Sequence, residues 1–441
     1  MTTPTQCPIV SRRQFLAGVG ATAAVSVAGY SVGIWGRNPA HAVASIGSLG
    51  PGNDRTLVLI EMGGGNDALS MVVPHGTDRY FDLRGNLAVT DAIDLDGSVG
   101  LHPNLAYVAD RWSQNDLAVI EGVGYPDPDL SHFSSMATWW TGIPGGLGAG
   151  WLGRYLDATV GADDPLAGIV VGPGPSPALS GETSFVVSIQ DDTGLRPSFP
   201  DWIDEADELT NMWSGFAASP VDSPALFGQV TSAIERTVVA SRRLDDVLES
   251  VGAEPAEQGG RRAARTLATD MALAAQLVTS DIRPRVVLVH GFGDFDTHEG
   301  QANRHPDLMT ELDDGIRAFF EIIDAAGASD RVILATTSEF GRRAASNGSG
   351  TDHGTAAAHL VIGSPVRGGR YGESPDLTSL DKSGNLIHTV DYRSYYASIL
   401  DEWFEIGHDD ILGGSFETLG FVDPGLVAVP MKRIRKHLGL K

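Results

Sequence analysis

Arg331-Val-Ile-Leu-Ala-Thr-Thr-Ser-Glu339-Phe-Gly-Arg-Arg343 is an apolar, β-branched run with a carboxylate at its C-terminal end. Such a run, bounded by polar residues, reads as a buried strand. A Gly/Ser/Asn loop follows, then Gly350-Thr-Asp352-His353 and a second short apolar strand from His359 to Ile362. Open α/β sheets carry their chemistry beyond the carboxyl ends of their strands, so Glu339 and His353 are expected close together.

The same pattern recurs three times. Leu57-Val-Leu-Ile-Glu-Met62 leads into Gly63-Gly-Gly-Asn66-Asp67, Leu117-Ala-Val-Ile-Glu-Gly-Val-Gly-Tyr125 leads into Ser131-His132, and Arg285-Val-Val-Leu-Val-His290 leads into Gly291-Phe-Gly-Asp294-Phe-Asp296-Thr-His298. Asp, Ser and Gly also follow strands because turns require them. Four strands each delivering ligand or nucleophile types favour a shared site. Asp67 alone reads as a turn residue, and the three glycines as a place where backbone approaches a ligand closely.

Residues Ser131, Phe133, Met136, Ala137 and Trp140 have helical spacing, so Ser131 stands at a helix start. There it is either an N-cap or a nucleophile or metal ligand facing an anion. His132 beside it reads as a packing or supporting residue. Asp294, Asp296 and His298 alternate, and such carboxylate-imidazole mixtures suit a divalent ion. The helical spacing of Leu308, Leu312, Ile316, Phe319 and Ile323 returns the chain to the strand at Val332, which predicts a parallel pair. Further helices are expected around 105–111, 151–157, 223–251, 261–280 and 391–403, with surface loop over most of 80–116. The stretch 160–280 reads as a helical insert poor in motifs, with short strands such as Ile169-Val-Val171 among the Pro-Gly turns of 160–222.

The chain has 441 residues, 42% of them hydrophobic, and a formal charge of −25. Setting aside Arg12, Arg13 and Arg37 of residues 1–42, 28 basic residues face 56 acidic ones, a formal −28. That surface repels nucleic acid and anionic membrane. Ser11-Arg12-Arg13-Gln14-Phe15-Leu16, the Ala/Gly-rich run Ala17–Ile34 and Ala40-His41-Ala42 look like a twin-arginine export signal over 1–42. The remainder, 43–441, then forms one exported domain, periplasmic, extracellular or at the cell surface. It needs no disulfide, since Cys7 lies in the signal. Its partners are the twin-arginine translocase during export and a small-molecule or glycan ester, without stable membrane insertion after cleavage.

Gly-Gly-Gly-Asn-Asp, Gly-Val-Gly-Tyr-Pro with Ser-His-Phe, Trp-Leu-Gly-Arg-Tyr-Leu-Asp, Phe-Asp-Thr-His, Ser-Glu-Phe-Gly-Arg-Arg and Gly-Thr-Asp-His-Gly together resemble the DUF1501 family. That family is placed with sulfatases and phosphoglycerate mutases in the alkaline-phosphatase-like superfamily. The resemblance implies a three-layer α/β fold, with a mostly parallel central sheet and helices on both faces. It implies one or two divalent ions (Zn, Mn or Ca): one held by Asp67, Ser131 and Glu339, the other by Asp296 or Asp294, His298 and His353. Glu339 replaces the superfamily's Asp, and Phe340 stands where the first site's His would be. Asp352 would approach an ion or orient His353. The implied activity is hydrolysis of phosphate or sulfate esters, with Ser131 as metal-activated nucleophile and Arg342 or Arg343 holding the anion. A non-catalytic binding or scaffold protein, and a transferase or mutase using the same serine, are the alternatives.

Overall fold

The computed structural model describes residues 54–161, 164–189 and 266–423, with short pieces at 22–27, 30–35 and between 236 and 247. Most of the expected signal segment, most of 223–251 and the tail from 424 lie outside the described residues; the described pieces between 236 and 247 are helical, as expected there, and 22–27 and 30–35 pair as an antiparallel hairpin.

Among the described residues nine strands form the central sheet. In chain order they are β1 (Thr56–Met62), β2 (Leu117–Gly124), β3 (Gly168–Val171), β4 (Val186–Ile189), β5 (Val286–Phe292), β6 (Val332–Thr337), β7 (Ala357–Ile362), β8 (Gly369–Tyr371) and β9 (Val390–Asp391). Across the sheet they run β8-β2-β7-β6-β1-β5-β3-β4, with β9 also on β2. Every pairing is parallel except those of β7, which runs against both β6 and β2. The passage from β5 to β6 does give parallel strands, but β1 lies between them and pairs with both. The short strand expected at 169–171 is β3, and with β4 it extends the sheet edge.

Helices cover both faces: α1 (Asp78–Arg84), α2 (Ala106–Ser113), α3 (His132–Thr141), α4 (Trp151–Thr159), α5 (Leu267–Thr279), α6 (Gln301–Ala325) and α7 (Tyr392–Ser398). The two-residue period of a strand sends alternate β1 side chains to opposite faces. Val58, Ile60 and Met62 enter one core with Leu312, Ile316 and Phe319 of α6. Leu57 and Leu59 enter the other with Trp151 of α4, Tyr395 of α7 and Trp403. Burial on both faces is why these strands are unbroken apolar runs, each such side chain contributing about 1.5–3 kcal/mol. Part of 80–116 is not surface loop: Tyr80 of α1 is buried, and short strands at Val72–Val73, Ile93–Asp94 and Gly100–Leu101 make a small separate sheet.

The topology decides where the chemistry goes. The carboxyl ends of β1, β2, β5 and β6 share one edge. Because β7 is antiparallel, its entry, preceded by His353, lies at that edge too.

Candidate metal centre

Asp296 is the hub. Its Oδ1 lies 3.1 Å from His298 Nε2, 3.1 Å from His353 Nε2 and 2.7 Å from Arg342 Nη2, while Oδ2 lies 3.6 Å from His132 Nε2. Ligand atoms of His132, Asp296 and His353 all fall within 4.8 Å of one another. The imidazoles crowd: the His353 ring is 4.4 Å from that of His132 and 4.7 Å from that of His298.

The far side of each ring is fixed. Nδ1 of His132 is 2.8 Å from Glu339 Oε1, Nδ1 of His353 is 2.9 Å from the Leu130 carbonyl oxygen, and Nδ1 of His298 is 3.3 Å from Asp352 Oδ1. Carbonyl and carboxylate oxygens only accept, so each Nδ1 carries the proton. In a neutral ring Nε2 is then a bare lone pair. Three such lone pairs aimed at one carboxylate repel it unless a cation is shared among them. Imidazoles backed by outer acceptors and converging with a carboxylate are a donor set for a divalent metal. Nitrogen-rich coordination suits Zn²⁺ or Mn²⁺ and not Ca²⁺, which takes oxygen ligands.

Electrostatics agree with the geometry. Burial would raise the Asp296 carboxyl, but the hydrogen bond and charge of the Arg342 guanidinium hold it down at about 2. The hydrogen bond to Glu339 raises the His132 imidazole despite partial desolvation.

Several residues expected at the site stand elsewhere. Asp67 is fully buried in a salt bridge with Arg84 of α1 (Nη2 to Oδ1 2.7 Å) and accepts further hydrogen bonds from Ser70 Oγ at 2.7 Å and from Gln301 Nε2. Its oxygens are spent, so it leaves no ligand for an ion with Ser131 and Glu339. Arg342 is no anion clamp: it is 1% exposed, and its guanidinium donates to the carbonyls of Gly64, Gly65, Phe295 and Thr351 as well as to Asp296. Asp294 is exposed and pairs with Arg304 at 2.6 Å, which leaves Asp296 as the converging carboxylate. Asp352 supports His298, not His353. Glu339 reaches the cluster only through His132, its Oε1 also accepting the Gly64 N–H at 2.9 Å.

Ser131 caps α3 by position only: its backbone is extended (φ −87°, ψ 130°) and its hydroxyl makes no capping hydrogen bond. Phe340, 1% exposed, packs its ring on His353 at 4.7 Å and His132 at 5.0 Å. The glycines after β1 admit protein, not ligand, to close approach. Gly64 has φ +112°, and a Cβ there would meet the Asp296 backbone nitrogen at 2.5 Å; one on Gly65 would meet the Phe340 ring. Sequence reasoning undervalued His132, whose one signal is its place at a strand end equivalent to those of Asp296 and His353.

A three-layer α/β sheet with imidazoles and a carboxylate gathered at one strand edge defines a candidate metalloprotein. The chain belongs to the DUF1501 family, described as a protein of unknown function, which matches residues 121–411 and so includes all four converging residues. No curated protein matches the sequence. Among solved structures it is similar to a protein in the alkaline phosphatase superfamily from Vibrio parahaemolyticus, at 9% identity and TM-score 0.34, over 78% of this chain and 65% of that one. It is similar to a phosphonate monoester hydrolase of Agrobacterium radiobacter at 12% identity and TM-score 0.31, over 88% and 83% of the two chains. It is also similar to alkaline phosphatase from the Antarctic bacterium TAB5 at 12% identity and TM-score 0.31, over 70% and 92%. Likeness this distant says nothing about activity.

Proposed function

We propose that the protein is an exported, metal-dependent hydrolase of phosphate or sulfate esters, with His132, Asp296, His298 and His353 holding one divalent ion. The observation that carries this reading is the fixing of three Nδ1 atoms by Glu339, Asp352 and Leu130 while the Nε2 atoms converge on Asp296. A divalent ion there would lower the pKa of a nearby hydroxyl or water and neutralise an ester anion. Ser131 lies between Leu130, whose carbonyl holds His353, and His132, whose ring joins the cluster, and its hydroxyl is not spent on capping. It is the candidate nucleophile. With Arg342 consumed, Arg343, whose side chain is 39% exposed beside Asp352, takes the anion-holding role. Export is proposed by the twin-arginine route, from Arg12 and Arg13.

The consumption of Asp67 and Arg342 favours a second reading, a non-catalytic binding protein that retains the metal. Metal content of protein purified without chelator, followed by assay on a panel of phosphate and sulfate esters, separates the two. Metal with turnover supports the hydrolase, metal without turnover the binding protein, and no bound or bindable metal rejects both.

A further inference from the structure

A cavity of about 290 Å³ opens between the segment Asn86–Asp91, the turn at His102–Asn104 and the first turns of α6. A water occupies about 30 Å³ of liquid, so the space exceeds what one or two structural waters fill. None of the residues converging on Asp296 lines it; the buried Asp67–Arg84–Gln301 network stands behind it.

Its walls hold unused hydrogen-bonding groups of both kinds. Asn104 N–H donates to His102 Nδ1 at 3.1 Å, so His102 Nε2 carries a proton. His305 is 2% exposed; its Nε2 faces Asn66 Oδ1 at 3.1 Å, an oxygen marked as acceptor because the amide nitrogen of Asn66 points at Met71 Sδ. His305 Nδ1 is therefore a lone pair, and it is buried with no partner among the described residues. Pro306 sits inside α6 and has no N–H, so the carbonyl of Ala302, a residue of the cavity wall, lacks its helical donor. Burial pushes both imidazoles down to about 4, which leaves them neutral at pH 7. Among the described residues no Lys or Arg lines the cavity, and Asp91 is the one charged residue there. Leu87, Val89 and Pro103 add apolar surface.

The ligand must donate to the Ala302 carbonyl and the Asp91 carboxylate, accept from His102 Nε2–H, carry no negative charge and present a C–H face to the apolar wall. Hydroxyl groups both donate and accept, and several of them on a small saturated ring meet every condition. We infer that this cavity is a binding site for a neutral pyranose, distinct from the candidate metal centre. An isolated ring and the terminal unit of a glycan share this chemistry.

The test is titration of the full protein with methyl glycosides of glucose, galactose and mannose, and separately with a neutral tetrasaccharide, followed by calorimetry and ligand-observed NMR. At least one neutral glycoside should bind, glucuronate should bind at least about ten-fold more weakly because Asp91 repels it, and treatment with a chelator should leave affinity unchanged. Ala302→Trp, at an exposed helix position on the cavity wall, should fold normally, keep metal binding and weaken the sugar about ten-fold or more. Asp91→Asn should narrow the preference against glucuronate, a readout independent of cavity filling. Tighter binding of the tetrasaccharide than of the glycosides assigns the site to glycan ends, and equal binding to free sugar. Absence of binding by every neutral sugar up to its solubility limit, equal binding of glucuronate, or undiminished binding by Ala302→Trp overturns the inference.

Discussion

Glu339 accepts a 2.8 Å hydrogen bond from Nδ1 of His132 across 207 residues of chain, and the same oxygen accepts the Gly64 N–H at 2.9 Å. A carboxylate behind an imidazole fixes its tautomer and raises its basicity, and removing such a partner typically costs about 10- to 100-fold in metal affinity. Glu339→Gln keeps a carbonyl acceptor but loses the charge, so Zn²⁺ affinity measured by competition with a chelating dye should fall by that amount while the circular dichroism spectrum stays unchanged. An unaltered affinity would show that His132 does not ligate.

Asp67 and Arg84 form a pair in which neither side chain is exposed. Removing one partner of a buried pair strands the other, so Asp67→Ala should lose about 3–5 kcal/mol in urea unfolding, whereas the double change to Asp67→Leu with Arg84→Met should lose much less. Desolvation alone would raise the Asp67 carboxyl, but the Arg84 charge and hydrogen bond bring it down to about 2, below its unfolded value of about 3.9. A depressed folded-state pKa contributes stability that is complete above the unfolded value and lost as pH falls toward the folded one. Between about pH 4 and 2, wild type should therefore lose stability more steeply than the double variant; parallel slopes would contradict the assignment.

The strands were readable because a sheet covered on both faces requires apolar residues at every position, as at Leu57 to Ile60 and Val332 to Ala335. Asp296, His298 and His353 were readable because strand ends set their common edge. What the sequence hid was which carboxylates and guanidinia already had partners. Asp67 is neutralised by Arg84 from a helix read as surface loop, and Arg342 by carbonyls from three separate segments. Those pairings arise only on folding. His132 was obscured because a histidine in a helix's first turn packs as readily as it ligates.

Ser131→Ala tests the nucleophile. Since the hydroxyl makes no capping bond, its loss should change stability by less than about 0.5 kcal/mol, the range of substitutions that break no specific interaction. Metal content should be unchanged. Any ester hydrolysis shown by wild type should fall by several powers of ten, because the covalent step disappears. A variant retaining its rate would remove Ser131 from the reaction.

Export is tested by replacing Arg12 and Arg13 together with Lys. The translocase reads the paired guanidinia as an address, so the precursor should accumulate in the cytoplasm with its unfolding curve unchanged. Normal export of the double variant would reject the twin-arginine reading.

Arg342 separates a structural role from a substrate-binding one. Its guanidinium ties the loop after β1, through Gly64 and Gly65, to the loop after β5, through Phe295 and Asp296, and to Thr351 ahead of His353. Arg342→Met would leave these buried carbonyls unsatisfied at about 1–3 kcal/mol each, a loss comparable with the whole stability of an ordinary domain. Arg342→Lys keeps the charge but not the planar fork that reaches several acceptors at once, so it should unfold at a clearly lower temperature and bind metal more weakly, because Asp296 and His353 lose their common anchor. If Arg342 instead served to hold an ester anion, the lysine variant would melt like wild type, keep its metal and lose only affinity for the ester. Thermal unfolding with and without added Zn²⁺ distinguishes the two outcomes before any substrate is known.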